Sequence, residues 1–209
     1  MNWKTAHLQA ALYDAGVHNP TVARLAARLL WGYDITHLWR SLAVRPAGPT
    51  LDIPCGGGLV PPAAHHVSAD LSPAMLHRAR RRGARTLVQA DITRLPFPSA
   101  AFGTCLTYNG LHCLPDPAKA VSELARVLRP GGTLRGTTLV RGTSRRHDAL
   151  FALMRRFGLF GPSGTTADLR AWLTAAGLTD ITLAPSGAVT GFTARKSGTH
   201  HSRTSAKVV

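Results

Sequence analysis

Three carboxylates stand where they could meet a ligand. Asp52 lies in Thr50-Leu51-Asp52-Ile53, just ahead of Cys55-Gly56-Gly57-Gly58. Asp70 closes the run His66-Val67-Ser68-Ala69-Asp70, and Asp91 directly follows Thr86-Leu87-Val88-Gln89-Ala90. If each apolar run is a strand, all three acids fall at the carboxyl edge of one sheet, where open α/β sheets bind ligands. Glycines 56 to 58 have no side chain to block a close approach, and they permit a positive φ. Asp70 is placed to take both hydroxyls of a ribose, because a carboxylate accepts two such hydrogen bonds. Asp91 is placed to face an exocyclic amine, which needs an acceptor. The pattern is that of a nucleoside site and is compatible with any adenosine cofactor. Taken singly, each acid could equally cap a helix or a loop.

The elements needed to position these groups are present in the sequence. Residues 5 to 44 read as helical, with Leu8, Leu12, Val22, Leu25, Leu29 and Leu30 at helical spacing and a break at Asn19-Pro20. Short apolar runs then alternate with helical ones. Strands are expected at 50–53, 66–70, 86–90, 103–108 and 133–140, with a closing pair at 181–183 and 188–194. Helices are expected at about 72–82, 117–128, 148–157 and 166–176. Ser72 serves as an N-cap before Pro73, and Pro130-Gly131-Gly132 stops the helix before the fifth strand. This alternation predicts a Rossmann-like, doubly wound, mostly parallel seven-stranded α/β sheet with helices on both faces. An N-terminal helical cap (1–45) precedes the main domain (46–196), and a polar basic tail (197–209) is read as disordered.

The 209 residues suit one domain with a full core. Apolar residues at 44% and charged residues at 17% are globular proportions. No long apolar run predicts a membrane span, and no secretory leader is read at the N-terminus, so a cytoplasmic protein is expected. Cys55, Cys105 and Cys113 form neither a C-x-x-C pair nor a zinc-finger pattern, so neither disulfides nor a metal is expected. The formal charge of +15 admits a nucleic-acid partner. However, 21 of the 25 basic residues are Arg, they are mostly dispersed, and no stacking aromatics are interleaved with them.

Four segments resemble the motifs of class I S-adenosylmethionine (SAM)-dependent methyltransferases. Leu51-Asp52-Ile53-Pro54-Cys55-Gly56-Gly57-Gly58 is similar to the glycine-rich first motif, and Ala69-Asp70-Leu71-Ser72-Pro73-Ala74-Met75-Leu76 to the second. Gln89-Ala90-Asp91-Ile92 with Leu95-Pro96-Phe97 resembles the third, and Leu128-Arg129-Pro130-Gly131-Gly132 the segment before the fifth strand. The likeness runs from about Trp31 to Lys196, and its nearest branch contains the ubiquinone- and menaquinone-type enzymes. It implies that Gly56 and Gly58 lie against the methionine part of SAM, with Asp52 and Pro54 also among the cofactor-binding residues. It further implies that Asp70 binds the ribose, that Leu71 and Met75 lie beside the adenine, and that Asp91 and Ile92 meet the amine and the ring. Asn109 would sit under the sulfonium, and Tyr33 would close over the cofactor.

Two positions depart from the family pattern. Pro54 stands where the motif has its first glycine, which removes a backbone N–H. Only Leu59 to His66, interrupted by Pro61-Pro62, remain for the first crossover helix, about two turns fewer than usual. That shortening either enlarges the pocket or weakens cofactor binding. Methyl transfer needs alignment and exclusion of water, and a general base only for a poor nucleophile. His112, on the loop after the fourth strand, is the leading candidate base, with His147 and Tyr13 behind it. Apolar and aromatic residues in 1–40 and 141–170 favour a hydrophobic or aromatic small-molecule acceptor over nucleic acid, on a chain that could form a homo-oligomer. The rival readings are a SAM-fold protein that does not transfer methyl groups, and an RNA methyltransferase. Asn109-Gly110-Leu111-His112 lacks the signature that many base-directed enzymes carry there.

Overall fold

The computed structural model describes residues 16–46 and 48–198. Tyr13 and most of the expected tail lie outside these residues. After a helical stretch at 16–18 come two short helices, α1 (Pro20–Trp31) and α2 (Thr36–Ala43). The Asn19 side chain accepts the Thr21 and Val22 N–H groups to start α1, and Gly32, at φ 61°, ends it in the left-handed conformation. This is the break that the sequence could not locate between the two helices.

Seven strands follow in chain order: β1 (Thr50–Asp52), β2 (His66–Asp70), β3 (Thr86–Gln89), β4 (Phe102–Tyr108), β5 (Leu128–Leu139), β6 (Leu178–Ser186) and β7 (Val189–Lys196). They form one sheet in the order β3-β2-β1-β4-β5-β7-β6. The first five strands run parallel, and β7 is antiparallel to both β5 and β6. Strand order reverses between β1 and β4, which opens a switch point at their carboxyl ends. The expected architecture is therefore the observed one.

Helices α3 (Pro73–Arg81), α4 (Pro117–Val127), α5 (Arg145–Arg156) and α6 (Thr166–Ala175) complete the layers. Alternation along the strands assigns the two faces. Cys105 and Leu134 join the core with Leu124 of α4 and Leu169 and Leu173 of α6. Leu106, Tyr108 and Leu139 point the other way, toward Ala23 of α1, Leu38 of α2 and Phe151 of α5. The N-terminal helices thus pack on the sheet face that α5 also covers.

Two departures from expectation concern the chain around the motifs. Pro130-Gly131-Gly132 does not precede β5; it lies inside the strand, which begins at Leu128. The register against β4 shifts between Phe102 and Thr104, so these residues are accommodated as a bulge. The second difference matters for the site. No helix forms between β1 and β2: residues 53–65 are turns and extended chain, and Pro61-Pro62 removes the donors a helix would need. The crossover helix expected within Leu59 to His66 is absent altogether.

Candidate functional site

Asp52, Asp70 and the glycine turn meet at the switch point. Asp52 and His66 belong to neighbouring strands, and His66 Nε2 lies 3.8 Å from Asp52 Oδ2, both side chains being buried. Neither atom has a hydrogen-bond partner. Burial pushes the Asp52 carboxyl up, against the opposing pull of His66. Asp70 accepts two backbone N–H bonds, from Gly56 at 2.9 Å and Ser72 at 2.8 Å. These bonds fix the glycine turn and the start of α3 to one carboxylate. Burial nevertheless lifts the Asp70 carboxyl to about 6.

The glycines divide their work. Gly56 has φ 53°, and a Cβ added there would meet no atom within 4 Å, so its open side faces the cleft. Gly58, at φ 89°, lies against α3, where a Cβ would come within 3.2 Å of the Ala79 Cα. The Arg82 side chain closes the turn from outside by donating to the Gly57 carbonyl at 2.7 Å. Pro54 packs its ring where a Cβ on Gly110 would fall, so the substituted motif position is filled by a matching glycine across the cleft.

A solvent-open cleft lies beside these residues, lined by His18, Asp52, Pro54, Gly56, Val60 and Tyr108 among others. Asp91, Leu71, Met75, Asn109, Ile92 and Tyr33 are not among the residues that line it. Asp91 is exposed after β3, and its Oδ1 accepts the Thr93 N–H at 2.8 Å and the Thr93 hydroxyl at 2.7 Å. Partial burial raises its carboxyl, but these bonds with Arg94 and Lys119 outweigh that and leave it low. Leu71 is half-buried and Met75 buried at the start of α3. Asn109 takes a positive φ of 54° and accepts the Thr137 hydroxyl at 2.9 Å, holding the end of β4 to β5. Ile92 sits in the main core with Leu95 and Phe102. Tyr33 is buried in the core between the cap and the sheet, does not line the cleft, and its hydroxyl has no partner.

His112 lies in a 3-10 turn, Leu111–Cys113, and is buried edge-on to Phe160 with ring centroids 4.7 Å apart. Its Nδ1 faces the Leu139 N–H at 3.5 Å, and burial drives the imidazole down to about 3. A ring in that state is neutral at any physiological pH, with its proton on Nε2. His147 stands apart on α5, half-buried, with its Nδ1 2.9 Å from the Thr143 hydroxyl.

Several positioning residues had escaped the reading of the sequence. Glu123 accepts the Leu95 N–H, while Arg126 pairs with Glu123 and donates to the Leu95 and Phe97 carbonyls. This brace fixes the loop that carries Asp91. Its signal was present as an i, i+3 Glu–Arg pair on α4.

Comparison with known proteins agrees with this geometry. Residues 51–135 match the family described as "Methyltransferase domain". That segment of the chain is similar to a methyltransferase domain. A demethylmenaquinone methyltransferase of Clavibacter sepedonicus is 38% identical over 111 residues, covering 46% of this chain and 45% of that one. One from Mycobacterium sp. strain JLS is 32% identical over 141 residues, or 63% of this chain and 59% of the relative. The chain thus spans about half the length of these relatives. Among solved structures, a Thermotoga maritima SAM-dependent methyltransferase, described as a possible histamine N-methyltransferase, superposes with a TM-score of 0.68 at 17% identity. The match covers 87% of this chain and 98% of that one. A (4+2)-cyclase shares the fold with a TM-score of 0.63 at 20% identity, over 93% and 97% of the two chains.

The residues present fit the family's cofactor. Gly56 leaves a cradle that a side chain would fill, and Asp52 keeps a buried, unpartnered carboxylate oxygen at the cleft. Among the described residues there is no cluster of His, Cys, Asp or Glu able to hold a metal, and no helix long and apolar enough to cross a membrane.

Proposed function

We propose that the protein transfers a methyl group from SAM to a hydrophobic or aromatic small molecule in the cytoplasm. The observation that carries this reading is the open cradle at Gly56, flanked by Asp52 and Asp70 at the switch point. The cofactor would supply a methyl group already activated by a positive sulfur. Asp70 would accept from the ribose hydroxyls with the lone pairs that Gly56 and Ser72 leave free. Asp91 would accept from the adenine amine with Oδ2, with Leu71 and Met75 beside the ring. Tyr33 and Ile92 would support this pocket from within the core, and Asn109, which accepts the Thr137 hydroxyl, would sit under the sulfonium. Asp52 would offer its free oxygen to a cation at the methionine end.

His112 acts in this reading as a neutral hydrogen-bond donor, because a ring held near 3 gains little by taking a proton at neutral pH. The protein then works by orientation and exclusion of water, on an acceptor that is already nucleophilic. A second reading, a SAM-fold protein that binds without transferring methyl groups, has one observation in its favour. The helix-free crossover provides no helix N-terminus for the cofactor's carboxylate.

The test is calorimetric titration with SAM and with S-adenosylhomocysteine. Both should bind at micromolar Kd, and Asp70→Ala and Asp91→Ala should each weaken binding by about tenfold or more, roughly 1.4 kcal/mol. Unchanged affinity in both variants would overturn the site. Tight binding with no acceptor turned over across an aromatic panel would favour the second reading.

A further inference from the structure

The missing crossover helix leaves a second opening on the sheet. A crevice open to solvent lies between the end of α2, the crossover chain and strands β4 and β5. It shares Val60 and Tyr108 with the cofactor cleft, so the two openings meet across those side chains. Most of its wall is apolar, with Leu42, Pro61 and Leu106 contributing. Its polar groups are Ser41, Tyr108, Arg45 and Arg135, and no lining residue is acidic.

Arg135 is the unusual member. It occupies β5 opposite Leu106 of β4, a position whose alternation turns it away from the main core and toward the cap. One terminal nitrogen donates to the Val44 carbonyl at 2.8 Å. Its Nε is buried with no hydrogen-bond partner, and no carboxylate pairs with it among the described residues. Beside it, the Ser41 and Tyr108 hydroxyls lie 2.8 Å apart, and the Arg135 side chain reaches the Tyr108 phenol. A buried guanidinium donor without an acceptor is an unsatisfied group that natural structures rarely keep. A guanidinium flanked by hydroxyls in an apolar crevice matches a planar anion carried on an apolar body.

We propose that this crevice holds the acceptor by a carboxylate seated on Arg135, with hydroxyl contacts from Ser41 and Tyr108. The acceptor is then an apolar or aromatic acid whose far end passes Val60 and Tyr108 into the cofactor cleft. The assignment of this ligand as acceptor rests on the methyltransferase reading; the anion site itself does not.

The probes are 3-phenylpropionate and its neutral amide, titrated calorimetrically against the full chain with and without S-adenosylhomocysteine. The acid should bind at least about tenfold more tightly than the amide. Arg135→Met should abolish that preference while leaving S-adenosylhomocysteine affinity unchanged. Because Arg135 also ties down Val44, a second variant, Ala63→Phe, fills the crevice from the exposed crossover and should block the acid alone. Equal binding of acid and amide, or acid binding that survives both substitutions, overturns the site. Acid binding without S-adenosylhomocysteine binding would keep the anion site and sink the methyltransferase reading, whereas the reverse result would sink only the anion site.

Discussion

Replacing Phe151 by Ala is expected to loosen the helical cap, at a cost of about 3–5 kcal/mol. Phe151 is 1% exposed and is the centre of an aromatic cluster that joins three segments. Its ring centroid lies 5.4 Å from Trp31 at the end of α1 and 5.3 Å from Phe160, and Phe160 in turn covers His112. These ring contacts involve no strand residue, and the strands meet Phe151 only through aliphatic and tyrosine side chains such as Leu106, Tyr108 and Leu139, so the damage should be greatest in the cap. Hydrogen exchange should speed up at α1 and α2 amides and remain slow in β1 and β4. With Phe160 freed, water should reach His112, and its ring should titrate upward from about 3 toward its ordinary value, as read by NMR. A melting temperature within a degree or two of the parent, with His112 still silent, would mean that the cap is held by something else.

The cap and sheet differ in how far their sequences disclosed them. The parallel strands were legible because burial on both faces makes short apolar runs, and each was punctuated by glycine, proline or a capping residue. Asn19 and Ser72 accept the N–H groups their positions implied. The bulge at Pro130-Gly131-Gly132 was misread as a stop, since glycine and proline mark a distortion inside a strand as readily as an end. For the site, the acids at strand ends were readable because chain order fixes where a strand stops. Two properties were not. Tyr33 was placed over the cofactor by likeness to relatives, yet its ring packs among Ala23, Ile35 and Leu38, a choice made by tertiary contacts. Arg135 was passed over as one of many dispersed arginines, because its meaning depends on an absent helix two strands away.

The pH dependence of Asp70 is the larger functional prediction. Burial raises its carboxyl to about 6, with the Asp52 carboxylate adding to the shift and the Ser72 and Gly56 N–H groups opposing it. In the unfolded chain the same group titrates near 3.9. Because the folded pKa is the higher one, its contribution to stability is full below about pH 4 and lost as pH rises through about 6. The shift corresponds to about 3 kcal/mol. Denaturant melts of the parent and Asp70→Asn should therefore run together below about pH 4, where the carboxyl is protonated and neutral like the amide, and separate across this window, with the parent losing stability relative to the variant as pH rises. Asp52 is raised as well, so the difference between the two proteins isolates Asp70. Cofactor affinity should move the opposite way. An ionised Asp70 accepts two hydroxyls, whereas a protonated one gives up part of that capacity. Binding of S-adenosylhomocysteine should accordingly weaken by up to about tenfold per pH unit below pH 6 and level off above it. If affinity stays flat from pH 5 to pH 7.5 while stability follows the predicted curve, Asp70 holds the glycine turn together but does not touch the ribose.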